Sequence, residues 1–258
     1  HKSYSTSHLI TDSAAGATAF STGEKTYKRA IGVSKDSIPQ ETILEKLKAE
    51  GYQTGLISLT SITHATPAAF YAHVKDRDMH EEIAAQLATA DVDFLAGGGR
   101  KFFNERSDDQ DLFQTLLNRN YNLDTLALSK SKPDMRNAFI IEDEGLPSKT
   151  EGRGDFLKDA SLEALSYFDA NNKPFFLCRG ILSRDSNIIF VSSNSFVLIF
   201  FSWFGGALAR HTLPSPVKSQ LRFNFSPSKV SSSLRATNFS MLGRTSPFHT
   251  ARIVDGSP

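Results

Sequence analysis

An amphipathic helix that stops at a glycine and runs straight into a buried strand most constrains what this chain can fold into. Residues 37–50, SIPQETILEKLKAE, carry Pro39 early, Glu41 in the first turn and apolar Ile43, Leu44 and Leu47, and Gly51 ends the pattern. Residues 52–60, YQTGLISLT, then read as a buried strand. Helix and strand joined by a short Gly-marked turn point to a sheet flanked by helices. Residues 80–89 and 111–118 continue as helices, and residues 93–96 and 139–141 as strands. Residues 155–170 form a further helix, with Phe156, Ala160, Ala164 and Phe168 one turn apart and Asn171 and Asn172 at its end. The run PFFL at 174–177 starts another strand. The expectation is a layered α/β domain, and 258 residues suffice for one large domain or two small ones.

Ahead of this region lies TDSAAGATAFSTG, residues 11–23. Ala is the best helix former, so a helix is expected from Asp12 or Ser13 to near Gly23. Its small residues allow close approach to a strand or a ligand. A helix N-terminus carries unpaired N–H groups and partial positive charge, which suit a phosphate, and Ser13 there has a hydroxyl to offer as a nucleophile. From composition alone a capped, closely packed core helix is the simpler account.

A second stretch with chemical content is SITHATPAAFYAHVKDRD, residues 61–78. Thr66 precedes Pro67, which biases its backbone to extended and lets a short helix start at the Pro. His64 and Thr66 are then expected in a strand-to-helix loop, with Arg77 beyond the helix. Taken singly, Thr66 serves equally as a helix cap and Arg77 as a solvated charge. His73 reads as structural, His80 with Glu81 and Glu82 as a solvated helix start, and AGGGRKF (96–102) as a turn and packing element without the ending of a nucleotide-binding loop.

The string TDSAAGATAFSTGEKTYKRAIGV (11–33) resembles the nucleophile segment of the alkaline phosphatases, and HATPA with its downstream Arg resembles their magnesium-and-phosphate segment. The resemblance spans about residues 1–177. It implies an α/β fold with a central sheet flanked by helices on both faces, present as an incomplete copy. It implies hydrolysis of phosphate monoesters through a phosphoserine, with Zn and Mg as cofactors. Ser13 would be the nucleophile and a zinc ligand, Arg77 the phosphate clamp, and Asp12 the neighbour that sets its geometry. Thr66 would stand at the magnesium site and His64 would be an auxiliary metal residue. The resemblance further implies a homodimer and a periplasmic or extracellular setting. No leader pattern follows His1, as expected if a leader was removed or the sequence begins mid-gene.

The chain also departs from the family pattern. An early D-G-x-G strand end, a V-E-G-x-x-I-D segment, a D-H-E-T motif and a last His supply most of the family's metal ligands, and none has a counterpart here. No Glu follows Glu163, and His211 and His249 lack the family context. Residues 178–258 hold nine Lys and Arg against two acids, Asp185 and Asp255, while the whole chain carries only +1. This stretch is expected to be a divergent, basic, Ser-rich tail. Three accounts of it stand: sequence foreign to the family, a membrane span at 188–209 (disfavoured by its Ser, Asn and Gly content), and a nucleic-acid segment. Its scattered basic residues form no cluster, so no nucleic-acid partner is expected. A helix within 188–209 is the one regular element expected there. Function is then an impaired phosphatase or a non-catalytic remnant with an anion-binding pocket.

Overall fold

The computed structural model describes residues 4–180, 185–192, 195–204 and 207–208. Its first helix, α1 (Ser13–Thr22), begins where Asp12 caps it: Asp12 Oδ1 accepts from the Ala15 N–H at 3.1 Å, a contact worth about 1 kcal/mol in such caps. Gly23 closes it in the left-handed conformation (φ 81°), which glycine adopts without a Cβ penalty. The next helix, α2 (Ile43–Ala49), is shorter than its sequence pattern suggests. Thr42 caps it in a reciprocal pairing with Glu45, while Pro39 forms a bridge with Val33 and does not open the helix.

Strand β1 (Gln53–Ser61) follows and is buried along its whole length. A short helix, α3 (Ala65–Ala68), starts at Ala65 with His64 as its cap. Thr66 is therefore inside the first helical turn and not in an extended loop. Pro67 is tolerated there because N–H groups of the first turn need no intrahelical acceptor. After α4 (His80–Thr89) come β2 (Phe94–Gly98), α5 (Lys101–Asn104) and α6 (Leu112–Asn118). Then β3 (Tyr121–Asp124), β4 (Arg136–Ile140), α7 (Phe156–Asn171) and β5 (Phe175–Gly180) complete the α/β part.

The strands lie in the order β3-β4-β2-β1-β5, all parallel. Two separate cores form on the two faces of this sheet. Leu56, Leu95, Ala138 and Phe176 pack with residues of α1 to α6, and Ile57, Leu59, Phe94, Phe139 and Leu177 pack with Phe156, Ala160, Ala164 and Phe168 of α7. Alternate residues of one strand feed opposite cores, the two-residue period of a strand buried on both faces. The chain is thus an α/β sheet covered by helices on both sides, as expected.

Beyond β5 the sheet continues antiparallel through β6 (Asp185–Ser192), β7 (Ser195–Phe204) and β8 (Ala207–Leu208). The expectation of a helix within 188–209 is corrected: the described part of this stretch is strand, paired to β5. Its runs of Ile, Val and Phe favour strands over helices, and the free edge of β5 supplies a ladder. Among the described residues no helix is long and apolar enough to cross a membrane.

Candidate active site

Strand β1 is where the chain reverses direction across the sheet. The β1–β2 crossover packs α4 in one core, and the connection into β5 on the other side of β1 packs α7 in the opposite core. Ligands in open α/β sheets bind beyond the carboxyl ends of the strands at such a switch. His64 and Thr66 lie just past the carboxyl end of β1, and a Cβ built on Gly180, the last residue of β5, would stand 4.0 Å from the Thr66 methyl.

The N-terminus of α1 points its first residue into the same region. Arg77 Nη1 donates to Ser13 Oγ at 2.6 Å, and Arg77 Nη2 donates to His64 Nε2 at 3.0 Å. Asp12 Oδ2 lies 3.7 Å from Arg77 Nη1, and the Asp12 side chain is 15% exposed, so this pair is shielded from water. Ser13, Asp12, His64 and Arg77 therefore meet in one cluster. Thr66 shares the short helix with His64, and its methyl faces β5. Burial, with Arg77 and His80 nearby, pushes His64 down to about 4, so its ring is neutral at pH 7 and accepts from Arg77. A cavity of about 510 Å³, bordered by His8, Thr11, Asp12 and Lys28, opens beside the α1 N-terminus.

The neighbouring residues divide into two kinds. His73 is structural: its Nδ1 meets the Gly32 carbonyl at 2.7 Å and its Nε2 meets Glu45 Oε1 at 3.0 Å. His80 is not the solvated helix start that its acidic neighbours suggest. It is half-buried, stacks on Phe102 and meets Thr63 Oγ1 at 3.0 Å through Nδ1. The glycine run is a turn only in part: Ala96, Gly97 and Gly98 end β2, Lys101 and Phe102 open α5, and Gly99 and Arg100 form the joint between them. Gly99 has φ 105°, and a Cβ there would collide with Ser61 Oγ. Sequence reasoning passed over Arg29, whose guanidinium pairs with both aspartates that flank Arg77. The only local signal was the triplet Asp76-Arg77-Asp78, two acids that need a cation other than Arg77.

The alkaline phosphatase sequence profile matches residues 1–179, more than half of the chain. The chain belongs to the alkaline phosphatase family. Alkaline phosphatase 4 of Bacillus subtilis is 36% identical over 178 residues, covering 65% of this chain and 38% of that protein. The Escherichia coli K12 alkaline phosphatase is 41% identical over 115 residues, or 37% of this chain and 24% of the relative. Among solved structures, the alkaline phosphatase of the Antarctic bacterium TAB5 superposes with a TM-score of 0.67 at 40% identity, covering 70% of this chain and 53% of that one. A variant of the TAB5 enzyme has been solved with Mg bound in the M3 site. This chain thus spans about two-fifths of the length of the curated Bacillus relative and about half of the TAB5 chain.

The cluster offers a metal one imidazole, the neutral hydroxyl of Ser13 and the single carboxylate of Asp12, with the Thr66 hydroxyl on the adjacent short helix. The imidazole nitrogen facing the cluster already accepts from Arg77, and the two Asp12 oxygens already accept from the Ala15 and Arg29 N–H groups. Among the described residues no three His, Cys, Asp or Glu side chains gather closely enough to hold a metal ion. Catalytic zinc takes three protein ligands and magnesium favours carboxylates. The donor set described here does not fit either ion, and His211 and His249 lie outside the described residues.

Proposed function

We propose that this chain carries the nucleophile and phosphate clamp of a phosphate-monoester hydrolase, with Ser13 as nucleophile and Arg77 as clamp. The contact between Arg77 and Ser13 carries this reading: it sets a bidentate cation against a hydroxyl at a helix N-terminus, where a phosphoryl group is favoured. A bound ester displaces the hydroxyl from Arg77, whose planar fork turns to two non-bridging oxygens. Asp12 and His64 hold the guanidinium from either side. Ser13 Oγ bonds to phosphorus, the ester P–O bond breaks, and the hydroxyl proton ends on the departing alcohol. Water then cleaves the phosphoserine, returning the Ser13 hydroxyl and releasing inorganic phosphate.

No step here passes through zinc or magnesium, because the donors among the described residues do not fit them. A serine hydroxyl is a weak nucleophile without an activating group. The 258-residue chain is therefore proposed to bind phosphate and to turn over esters slowly, on the order of a thousandfold or more below a metal-activated site. The same donor set favours a second reading, a non-catalytic chain that retains the anion pocket. The family likeness adds a homodimer and a periplasmic or extracellular setting to the proposal.

The test mixes purified chain, zinc and magnesium with an aryl phosphate, then quenches in acid and seeks phosphoserine at Ser13 by mass spectrometry. Trapped phosphoserine with turnover near background supports the first reading, and phosphate binding without phosphoserine supports the second. A robust, chelator-sensitive rate lost in Ser13→Ala overturns the slow-turnover reading. A chain that binds no phosphate overturns the site.

A further inference from the structure

Arg29 touches both sides of the Ser13–Arg77 contact. Its backbone N–H donates to Asp12 Oδ2 at 3.2 Å, on the residue that caps α1. Its side chain reaches the other side: Nε donates to Asp76 Oδ2 and Nη2 to Asp76 Oδ1, both at 2.7 Å, and Nη2 also reaches Asp78. Asp76 and Asp78 are the two residues that flank Arg77. A pair of backbone hydrogen bonds between Ile31 and Val74, at 3.0 and 2.9 Å, fastens the same two segments close by. Arg29 holds this position at a φ of 76°, in the left-handed region that disfavours any residue with a Cβ. Surrounding contacts must over-determine such a conformation for it to persist.

The charge arrangement gives this clamp a purpose. Arg77 has an acid on each side, and its Nε is already 4.0 Å from Asp78 Oδ1. An unneutralised Asp78 would draw the guanidinium away from Ser13 and His64. We propose that Arg29 is a positioning residue: by occupying Asp76 and Asp78 it leaves Arg77 free to face an anion at Ser13. The proposal rests on the reading of Arg77 as the phosphate clamp and adds to it the group that keeps the clamp aimed.

The full 258-residue chain and inorganic phosphate as probe test it. Arg29→Gly removes the guanidinium and relaxes the left-handed backbone, so the fold is expected to survive. Phosphate affinity should fall about tenfold, the size of coupling between neighbouring charged groups, and a crystal structure should show Arg77 swung from Ser13 Oγ onto Asp78. Adding Asp78→Asn to Arg29→Gly should recover most of the affinity, which a merely structural loss would not do. An Arg77–Ser13 contact unchanged in Arg29→Gly, or a loss that Asp78→Asn fails to recover, overturns the proposal. If the wild-type chain binds no phosphate, the phosphate reading fails, while the position of Arg77 in the Arg29→Gly structure still decides the role of Arg29.

Discussion

Arg77 Nη2 and His64 Nε2 stand 3.0 Å apart, and since a guanidinium only donates, the imidazole nitrogen must be the acceptor. His64 is thereby a rest for the Arg77 guanidinium, the group proposed as the phosphate clamp. The same lone pair is the one that a metal at the cluster would need. Ser13 takes the other arm of the guanidinium, so a single arginine links a residue at the start of α1 to one at the start of α3.

Arg77→Ala should weaken inorganic phosphate by roughly tenfold to a hundredfold, the range for losing charge-assisted hydrogen bonds. Arg77→Lys should recover little, because an ammonium cannot present two parallel donors. Isothermal titration with phosphate measures both. Equal affinity for wild type and Arg77→Ala would remove Arg77 from the site.

Ser13→Ala should abolish any phosphoserine yet leave phosphate binding within about threefold, since the removed hydroxyl is displaced from Arg77 on binding and uncharged groups of this kind contribute modestly. Intact-mass measurement after acid quench, run beside the titration, tests the two halves separately. Label remaining in Ser13→Ala would point to a different nucleophile.

His73 and Glu45 should couple in a pH-dependent way. Both ring nitrogens of His73 face acceptors, the Gly32 carbonyl and the Glu45 carboxylate, so its pKa is raised, chiefly by the Glu45 hydrogen bond. Burial works to raise Glu45, but the hydrogen bonds from His73 and Thr42 outweigh it and hold the carboxyl below its usual range. The His73 contribution is complete below the ordinary histidine value of about 6.5 and is lost as pH rises through the elevated one. The Glu45 contribution is complete above the ordinary carboxylate value of about 4.3 and is lost as pH falls through the depressed one. A double-mutant cycle with His73→Gln and Glu45→Gln, read by urea unfolding, should give its largest coupling near pH 6 and little at pH 9. Equal coupling at the two values would contradict the assignment.

Gly99→Ala should destabilise the chain by on the order of 2 kcal/mol or more, because the new Cβ adds a left-handed backbone penalty to a collision with Ser61 Oγ. Gly152→Ala is the control. It has the same φ of 105° but open space around the site, so its cost should be the backbone penalty alone. Urea midpoints that shift equally for the two variants would show that the Ser61 contact is unimportant.

Local rules made much of this chain legible. Asp12, the Ala-rich run and Gly23 determine α1 because capping, propensity and a left-handed stop all act within one helix. Likewise residues 53–61 were legible as a buried strand from Leu56, Ile57 and Leu59 after the Gly51 stop, although the pairing with β2 and β5 is what buries the polar residues beside them. Where rules compete, the local pattern falls short: Thr42 won the start of α2 from Pro39, and Thr66 joined a helix despite the proline after it. Strand β3 was not legible, since its four residues are half polar and become a strand only by pairing with β4 at the sheet edge.

By itself the sequence determined the α/β class, the family over residues 1–179, and the segments that carry Ser13, His64, Thr66 and Arg77. Only the tertiary structure decided that Arg77 touches Ser13 and His64, that His80 is stacked on Phe102, that Arg29 closes on Asp76 and Asp78, and that the described tail joins β5 as strands. The physical reason is range. Capping and periodicity act over a few residues, whereas the Ser13–Arg77 contact joins positions 64 apart and exists only once α1 and the chain beyond β1 are packed on one face of the sheet.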